Sequence, residues 1–266
     1  MAIEQETLSP IIRKNVEVLL DERTFSFSRL SLIEQCLYAY FLKYVEQVKV
    51  DEDKSYLMLG KAVHKAIEEK IKGLDDKQAL LAGWKEVDFY PLNLEEYERL
   101  FRQAKVSRGE ALSEFAKTEL HFKIPLSDKA DTPYLQGFID YLREVFGSYD
   151  FTDWKTNRSM YETTETYQLA LYAAALHYMY GVQYVTGTLY FLRYFKNNRK
   201  SKSFTLNDMN AALKWALDIA EDTLQRLSDL NEGLKNIEEA FPPSLNDKCS
   251  FCPFAHICVN QYPNIK

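Results

Sequence analysis

Residues 134–156 read YLQGFIDYLREVFGSYDFTDWKT, and this stretch carries most of the evidence for the fold. Tyr134 to Phe146 and Tyr149 to Lys155 are predicted to be strands, and a short turn between them lets the two pair as a hairpin. In that pairing Asp140 faces Asp153. Because side chains two residues apart in a strand point to the same face, Asp153 and Lys155 are expected to project together.

Two carboxylates and a lysine at one end of a hairpin form a set that suits phosphodiester hydrolysis. Carboxylate oxygens, here those of Asp140 and Asp153, are ligands that Mg²⁺ prefers. A bound divalent cation polarises the phosphate and lowers the pKa of a bound water. The ammonium of Lys155 would stabilise developing negative charge or orient the attacking water. An Asp-x-Lys triplet is common, and a solvated surface pair is the alternative interpretation.

A predicted helix from Leu57 to Leu74 carries polar residues at a four-residue spacing, which places them on one helix face. Gly60 would let another backbone approach closely. The imidazole of His64 is a candidate metal ligand that would favour Mn²⁺, and a structural histidine is the alternative. Glu68 is interpreted either as a support for the metal ligands or as part of a solvated helix face.

Two further segments carry candidates of the same kind. Gln168 and Tyr172 have the four-residue spacing on a helix predicted from Thr166 to Tyr180. Ordinary surface and core positions are the alternative for this pair. Glu119 opens a strand predicted to run to Pro125, and we expect its side chain to be exposed.

The remaining predicted elements complete an α/β domain. A helix is predicted to begin at Ser28 or Ser31, with Glu34 as a capping-box partner, and to run through Val45 with Cys36 on it. Helices are also predicted over residues 76–118, with a break near Pro91, and from Asn207 to Gly233. A strand is predicted from Tyr184 to Phe195, and its return strand from Lys202 to Leu206. The expected fold class is therefore α/β, with a central mixed sheet of four or five strands flanked by helices and with a helical insertion.

The four cysteines lie towards the two ends of the sequence. Cys249, Cys252 and Cys258 form a C-x2-C-x5-C pattern, and Cys36 is the remaining one. Thiolates at a C-x2-C spacing reach one metal centre, so the count predicts a single centre that joins the termini. A structural zinc site usually has two such pairs, which favours an iron–sulfur cluster. Zinc, four buried thiols, and His256 in place of Cys36 are the alternatives.

The net charge of −6 argues against a protein that binds nucleic acid through a bulk positive charge, so such binding needs a local patch. One basic stretch surrounds a predicted turn at Asn197-Asn198. Its candidates for phosphate contact are Arg193, Lys196, Arg199 and Lys200. A solvated hairpin tip is the alternative interpretation.

The sequence carries no signal for export or membrane insertion. The N-terminal residues are acidic and lack the apolar core of a secretory signal. The most apolar helical stretch, Leu169 to Tyr180, is too short to span a bilayer. We therefore expect a cytoplasmic protein, in which reducing conditions favour metal ligation by the cysteines over disulfides.

These motifs, taken in order, resemble the RecB-like branch of the PD-(D/E)xK nuclease superfamily. That branch includes the nuclease domains of RecB and AddB and the CRISPR-associated iron–sulfur exonucleases. Its G-x3-H-x3-E, G-x-x-D, D-x-K-T and Q-x3-Y motifs are similar to Gly60 to Glu68, Gly137 to Asp140, Asp153 to Thr156 and Gln168 to Tyr172, respectively. The cysteine pattern resembles the members that hold a 4Fe–4S cluster, and the resemblance covers roughly residues 25 to 260.

Two departures from the family pattern are mild. Cys36 is followed by Leu37, where proline is frequent in the family. The stretch between Lys72 and Thr118 is longer than a minimal domain needs.

The resemblance implies a restriction-endonuclease-like core and a role for each matching residue. His64, Asp140 and Asp153 would bind Mg²⁺ or Mn²⁺, Lys155 would be the catalytic lysine, Gln168 and Tyr172 would lie beside the site, and Cys36, Cys249, Cys252 and Cys258 would hold the 4Fe–4S cluster. It also implies one nuclease domain over residues 25–266 after an extension at 1–24, with the helical insertion at about 73–118.

The activity implied is a metal-dependent deoxyribonuclease, an exonuclease acting on single-stranded DNA or DNA ends in recombination, repair, a mobile element or CRISPR processing. Its partners would be DNA and helicase, recombination or CRISPR proteins. The chain has no GxxxxGK[ST] phosphate loop and is therefore not itself a helicase. The alternative is a catalytically silent iron–sulfur module that binds DNA or scaffolds a larger complex, against which the intact Asp140, Asp153 and Lys155 argue.

Overall fold

The computed structural model describes residues 8–50, 53–112, 115–145 and 147–263. Its α-helices are α1 (Pro10–Glu22), α2 (Phe27–Gln35), α3 (Leu37–Tyr40), α4 (Ser55–Lys72), α5 (Asp76–Glu86), α6 (Leu94–Gln103), α7 (Gln168–Tyr180), α8 (Leu206–Asn231), α9 (Ile237–Ala240) and α10 (Ala255–Gln261). Its strands are β1 (Thr24–Phe25), β2 (Ala116–Pro125), β3 (Tyr134–Val145), β4 (Ser148–Lys155), β5 (Val185–Phe191) and β6 (Arg199–Phe204).

The strands form one six-stranded mixed sheet, which confirms the predicted α/β fold class. Its order is β1-β3-β4-β5-β6, and β2 pairs with β3 outside this path. The β1–β3 and β4–β5 pairs are parallel, whereas β3–β4 and β5–β6 are antiparallel. The sheet has more strands than the four or five expected, partly because β1 is only two residues long and too short for a sequence pattern to show.

The predicted hairpin in residues 134–156 is confirmed. Strands β3 and β4 are antiparallel with Tyr141 opposite Thr152. The next residues towards the open end of the hairpin are Asp140 and Asp153, and the Trp154 amide donates a hydrogen bond to Asp140 Oδ2 at 2.7 Å. The two carboxylates therefore belong to neighbouring strands at one end of the hairpin, as the sequence predicts.

The chain divides into two compact units, each assembled from separate stretches. The first contains the described parts of 1–52, 124–136 and 213–266, and it holds all four cysteines. The second contains the described parts of 53–123 and 137–212, and it holds the predicted carboxylate–lysine site. The prediction of one nuclease domain with an insertion at about 73–118 stays a prediction.

The core of the second unit lies where α4 packs against its neighbours. Val63, Ala66 and Ile67 follow the helical spacing that predicted α4, and all three are fully buried. They share one apolar cluster with residues of α6 and with Tyr141 and Trp154 of the sheet. Packing on one side therefore leaves the opposite side of α4 free to carry polar residues.

In the first unit, the structure differs from the single helix predicted from Ser28 or Ser31 to Val45. The helix begins after Ser26, whose hydroxyl accepts a hydrogen bond from the Arg29 amide at 3.3 Å, and not after Ser28 or Ser31. It ends at Cys36, which has extended backbone angles and also caps α3. Cys36 therefore lies at a break between two helices, because its thiol accepts from the Ala39 amide at 3.5 Å in place of an intrahelical partner.

Other boundaries also differ from the sequence prediction. Strand β5 ends at Phe191 and not at Phe195, and its return strand β6 starts at Arg199, three residues before the predicted Lys202. Residues 116–118, expected to be helical, open β2. Within the described residues, no helix combines the length and apolar character that crossing a bilayer requires.

Candidate active site

Helix α4 positions His64 next to the hairpin. A Cβ atom on Gly60 would lie 3.2 Å from Thr156 Oγ1, so the segment after β4 passes close to this helix where the side chain is smallest. One turn further along α4, His64 Nδ1 lies 3.4 Å from Asp140 Oδ2. The group that approaches Gly60 is the Thr156 side chain, whereas the sequence predicted a backbone.

Three side chains form a group able to hold a metal ion: His64, Glu119 and Asp140. One ligand atom from each lies within 4.8 Å of the others. The donor set of one imidazole nitrogen and two carboxylate oxygens suits a divalent cation such as Mn²⁺ or Mg²⁺. Glu119 stands in this group where the sequence interpretation placed Asp153.

Glu119 is half-buried, so the expectation that it is exposed was wrong. Its backbone has a φ of 47°, in the left-handed region that non-glycine residues rarely adopt. The burial pattern of β2 loses its alternation around this residue. A local break of this kind re-aims a side chain, and no sequence pattern encodes it, which is why the residue was missed.

The second part of the site is a hydrogen-bonded network around Asp153 and Lys155. Lys155 Nζ lies 2.6 Å from Asp153 Oδ2, so the two side chains project together as predicted. Gln168 connects them: its Oε1 accepts from Lys155 at 2.8 Å and its Nε2 donates to Asp153 Oδ1 at 3.1 Å. The same Nε2 lies 3.1 Å from the Tyr172 hydroxyl. All four predicted residues therefore meet.

Tyr161 joins this network although the sequence reading did not single it out. Burial raises the pKa of its hydroxyl, and the charge of Lys155 and a hydrogen bond to it lower that pKa in part. Its ring packs edge-on against Phe191 at 5.2 Å between centroids. Tyr161 lies in the irregular segment between β4 and α7, where periodicity gives no signal.

The charges in the metal group shift the pKa values of its members. Burial lowers the pKa of His64, but the negative charge of Asp140 and a hydrogen bond to it raise the pKa further, to about 9. Burial, and next the charge of Asp140, raise the pKa of Glu119 to about 7. Burial and the charge of Asp140 thus act together on the two neighbouring groups.

Asp153 is buried and Lys155 is half-buried, and the pKa values of both shift. Burial raises the pKa of Asp153, and the charge of Lys155 opposes this shift. Burial lowers the pKa of Lys155, but the charge of Asp153, a hydrogen bond to it and the charges of Tyr161 and Asp140 together outweigh burial, raise the pKa and leave the ammonium protonated. Lys155 is therefore a fixed cation next to the metal group.

The buried oxygens provide a test of whether a divalent cation fits. Asp153 Oδ2 is fully buried, and no described group donates to it a hydrogen bond of acceptable geometry, although Lys155 Nζ is close. The oxygen thus has lone pairs free for a further ligand. His64, Glu119 and Asp140 supply one imidazole nitrogen and two carboxylate oxygens as donors for a metal ion.

A cleft of about 980 Å³ opens onto the metal group. Helix α4 forms one wall and the segment after β4, residues 156–159, forms another. His64, Glu119 and Asp140 line its inner part. Glu68 also lines the cleft, but it is buried and pairs with Lys65 at 2.9 Å and with Lys72.

The basic stretch predicted to contact nucleic acid is mostly engaged within the protein. Arg193 lines the cleft, pairs with Glu96 and donates to the Thr156 carbonyl at 2.6 Å. The Arg199 guanidinium lies 4.3 Å from the centre of the Tyr190 ring, and Lys200 pairs with Glu162 at 2.6 Å. Lys196 is exposed. A role for the four in binding nucleic acid stays a prediction.

The four cysteines gather in the first unit. Burial, and then the charges of Cys36, Cys249 and Cys252, raise the pKa of the Cys258 thiol. Cys249 Sγ accepts from the Asn246 amide at 3.4 Å, and Asn246 Nδ2 donates to the carbonyl of Gln35, next to Cys36. These contacts bring the two ends of the sequence pattern together as predicted. His256 is exposed.

Comparison with known proteins assigns the family. The model of the PD-(D/E)XK nuclease superfamily matches residues 24–259. None of the curated proteins matches the sequence significantly. A crystal structure of SSO0001 is similar over 93% of this chain and 93% of its own, at 16% identity and a TM-score of 0.39. Because the family model covers most of its length, the chain belongs to the PD-(D/E)XK nuclease superfamily.

Proposed function

We propose that this protein is a Mg²⁺- or Mn²⁺-dependent deoxyribonuclease that acts as an exonuclease on single-stranded DNA or DNA ends. The observation that carries the proposal is the metal group of His64, Glu119 and Asp140 beside the ion pair of the buried Asp153 with Lys155. A divalent cation at this group would supply charge stabilisation for the phosphate and an acidified water.

The residues of the chain have separate tasks in this reaction. Lys155 places a permanent positive charge where a phosphate oxygen gains negative charge. Gln168 fixes the directions of both the lysine and Asp153, since it hydrogen-bonds to each. Tyr172, half-buried against Phe122 and Phe151, contacts Gln168 from the other side. Such fixed partners keep charged groups in productive geometry.

We also propose that Cys36, Cys249, Cys252 and Cys258 hold a 4Fe–4S cluster. The support is the C-x2-C-x5-C spacing, the mutual charge effects among the thiols, and backbone amides that donate to Cys36 and Cys249 sulfurs. Hydrogen bonds to sulfur stabilise thiolate ligands and tune such clusters. Iron and zinc analysis of protein purified without oxygen tests this: about four irons and a brown colour are expected, and one zinc without colour would refute it.

The pathway we propose is DNA processing in recombination, repair or CRISPR systems, with helicase or recombination proteins as partners. The support is membership of the PD-(D/E)XK nuclease superfamily and the resemblance of the ordered motifs to its RecB-like branch. The exonuclease part has a direct test with single-stranded DNA in linear and circular forms plus Mn²⁺. We expect degradation of the linear form from its ends and survival of the circle. Rapid cutting of the circle would show an endonuclease.

A further inference from the structure

The cleft extends past the metal group along α4 to the start of that helix. Tyr56 and Leu57 line this outer part, and 68% and 45% of their surfaces are exposed. Neighbouring large apolar side chains left open in a cleft are typical of a recognition surface. The hydrolysis chemistry described above uses neither residue.

The distance from Tyr56 to the metal group suits a contact remote from the scissile bond. Tyr56 precedes His64 by eight residues, a rise of about 12 Å along a helix. A ring at this position would meet a base other than the one next to the phosphate at the metal group.

Two exposed cationic side chains line the same outer part of the cleft. Lys61 lies on α4, one turn after Leu57, and Arg158 lies on the opposite segment after β4. Asp53 also lines the cleft near the helix start, and its Oδ1 accepts a hydrogen bond from the Ser55 amide at 2.9 Å, which keeps the carboxylate charged. Glu86 also lines the cleft and balances part of this charge.

We infer that the outer cleft is a binding site for single-stranded DNA, in which the Tyr56 ring stacks on one base while Lys61 and Arg158 contact backbone phosphates. The inference rests on the proposed nuclease function and adds the residues that hold the substrate strand. An aromatic platform between cations is the arrangement that binds single strands regardless of sequence. A duplex would keep its base faces stacked, so the ring favours single-stranded substrate.

Binding measurements without divalent metal test this site independently of catalysis. Fluorescence anisotropy with a labelled oligo-dT in EDTA gives the Kd for wild type, Tyr56→Ala, Tyr56→Phe and Tyr184→Ala. Tyr184 is 68% exposed, like Tyr56, but does not line the cleft. We expect Tyr56→Ala to raise Kd by about 5- to 150-fold, and the other two variants to match wild type. A wild-type Kd for Tyr56→Ala overturns the inference.

An abasic scan identifies stacking as the cause of the loss. Oligonucleotides with one missing base at successive positions should show a single position where wild type binds weakly and Tyr56→Ala shows no further loss. An equal penalty in both proteins at every position contradicts stacking on Tyr56.

Lys61→Gln and Arg158→Gln should each reduce the slope of log Kd against log salt concentration by about 0.7, and unchanged slopes count against the phosphate contacts.

Cleavage by wild type in Mn²⁺ separates the two claims. If wild type degrades DNA and Tyr56→Ala binds and cleaves DNA as well as wild type does, the inferred binding site is wrong and the nuclease function stands. If wild type binds single strands through Tyr56 but never cleaves them, the nuclease function is wrong and the binding site stands. Wild type that neither binds nor cleaves overturns both.

Discussion

At the scale of single residues, Gln168 contacts more residues of the site than its four-residue spacing from Tyr172 predicted. Its amide contacts Lys155, Asp153 and Tyr172. We predict that Gln168→Ala lowers the single-turnover cleavage rate by about 10- to 100-fold, because loss of a supporting partner misdirects the charged groups. Tyr178→Phe, at an exposed position on the same helix, is the control and should cleave normally. A wild-type rate for Gln168→Ala would remove Gln168 from the site.

Glu119 offers a second prediction, about metal binding. One carboxylate oxygen of Glu119 lies within 4.8 Å of a ligand atom of His64 and of Asp140. We expect Glu119→Gln to weaken Mn²⁺ binding by at least about tenfold in a calorimetric titration, since the amide loses the negative charge. Glu69→Gln on α4 is a suitable control, because Glu69 pairs with Lys65 and lies outside the metal group. Equal affinities for the two variants would exclude Glu119 as a ligand.

The sequence predicts the positions of some of these site residues and not of others, for physical reasons. Asp153 and Lys155 share a strand, and Gln168 and Tyr172 share a helix face, so fixed periods of two and four residues already place each pair. The register of one hairpin adds Asp140. Glu119 and Tyr161 depend on a left-handed backbone residue and on an irregular segment, respectively. Neither feature has a periodic signature.

At the scale of elements, the contact between α4 and α5 depends on Gly83. A Cβ at Gly83 would clash with the Tyr97 hydroxyl and the Ala62 carbonyl. We predict that Gly83→Ala destabilises the protein by about 1–3 kcal/mol through overpacking, despite the gain of about 1 kcal/mol in helix propensity. Gly60→Ala, with a single neighbour at 3.2 Å, should cost less in urea unfolding. The reverse order would mean that α5 does not pack closely on α4.

The start of α8 carries a pH-dependent cap. A hydrogen bond from Lys202, and next one from the Thr205 amide, lower the pKa of Asp208 to about 2. Since the folded pKa is below the usual value of about 3.9, the stabilisation is present above pH 4 and is lost as the pH falls through about 2.

We therefore predict that Asp208→Asn lowers the free energy of unfolding by about 1 kcal/mol at pH 7. The difference from wild type should shrink as the pH falls from 4 towards 2. Urea unfolding at several pH values measures it. Asp218→Asn, an exposed partner of Lys214, is the control and should change little. A difference that stays constant with pH would refute the role of the Asp208 charge.

Element boundaries were harder to predict than element types. The helix predicted through Val45 breaks at Cys36, where the thiol replaces an intrahelical acceptor, and nothing in the apolar spacing marks that break. By contrast, α4 and α7 were expected close to their observed bounds, because long periodic stretches leave little choice of secondary structure.

At the scale of the whole molecule, the proposed 4Fe–4S cluster would close a loop of more than two hundred residues between Cys36 and Cys249. A link across such a long loop restricts the unfolded chain and so stabilises the folded one. We predict that Cys252→Ser lowers the Tm of anaerobically purified protein by several degrees. Ser250→Ala, whose hydroxyl contacts only a neighbouring backbone carbonyl in the described chain, is the control. An unchanged Tm for Cys252→Ser would show that the cluster is not structural.

The central claim is that a divalent cation and Lys155 together cleave DNA, and one comparison tests it most directly. Wild type and Lys155→Ala are assayed on end-labelled single-stranded DNA with Mn²⁺, Mg²⁺ or EDTA, and Tm is recorded for both. We predict cleavage by wild type with either metal, none in EDTA, and a loss of at least about 10³-fold in Lys155→Ala, whose thermal unfolding remains cooperative. Equal cleavage by the two folded proteins would contradict the account.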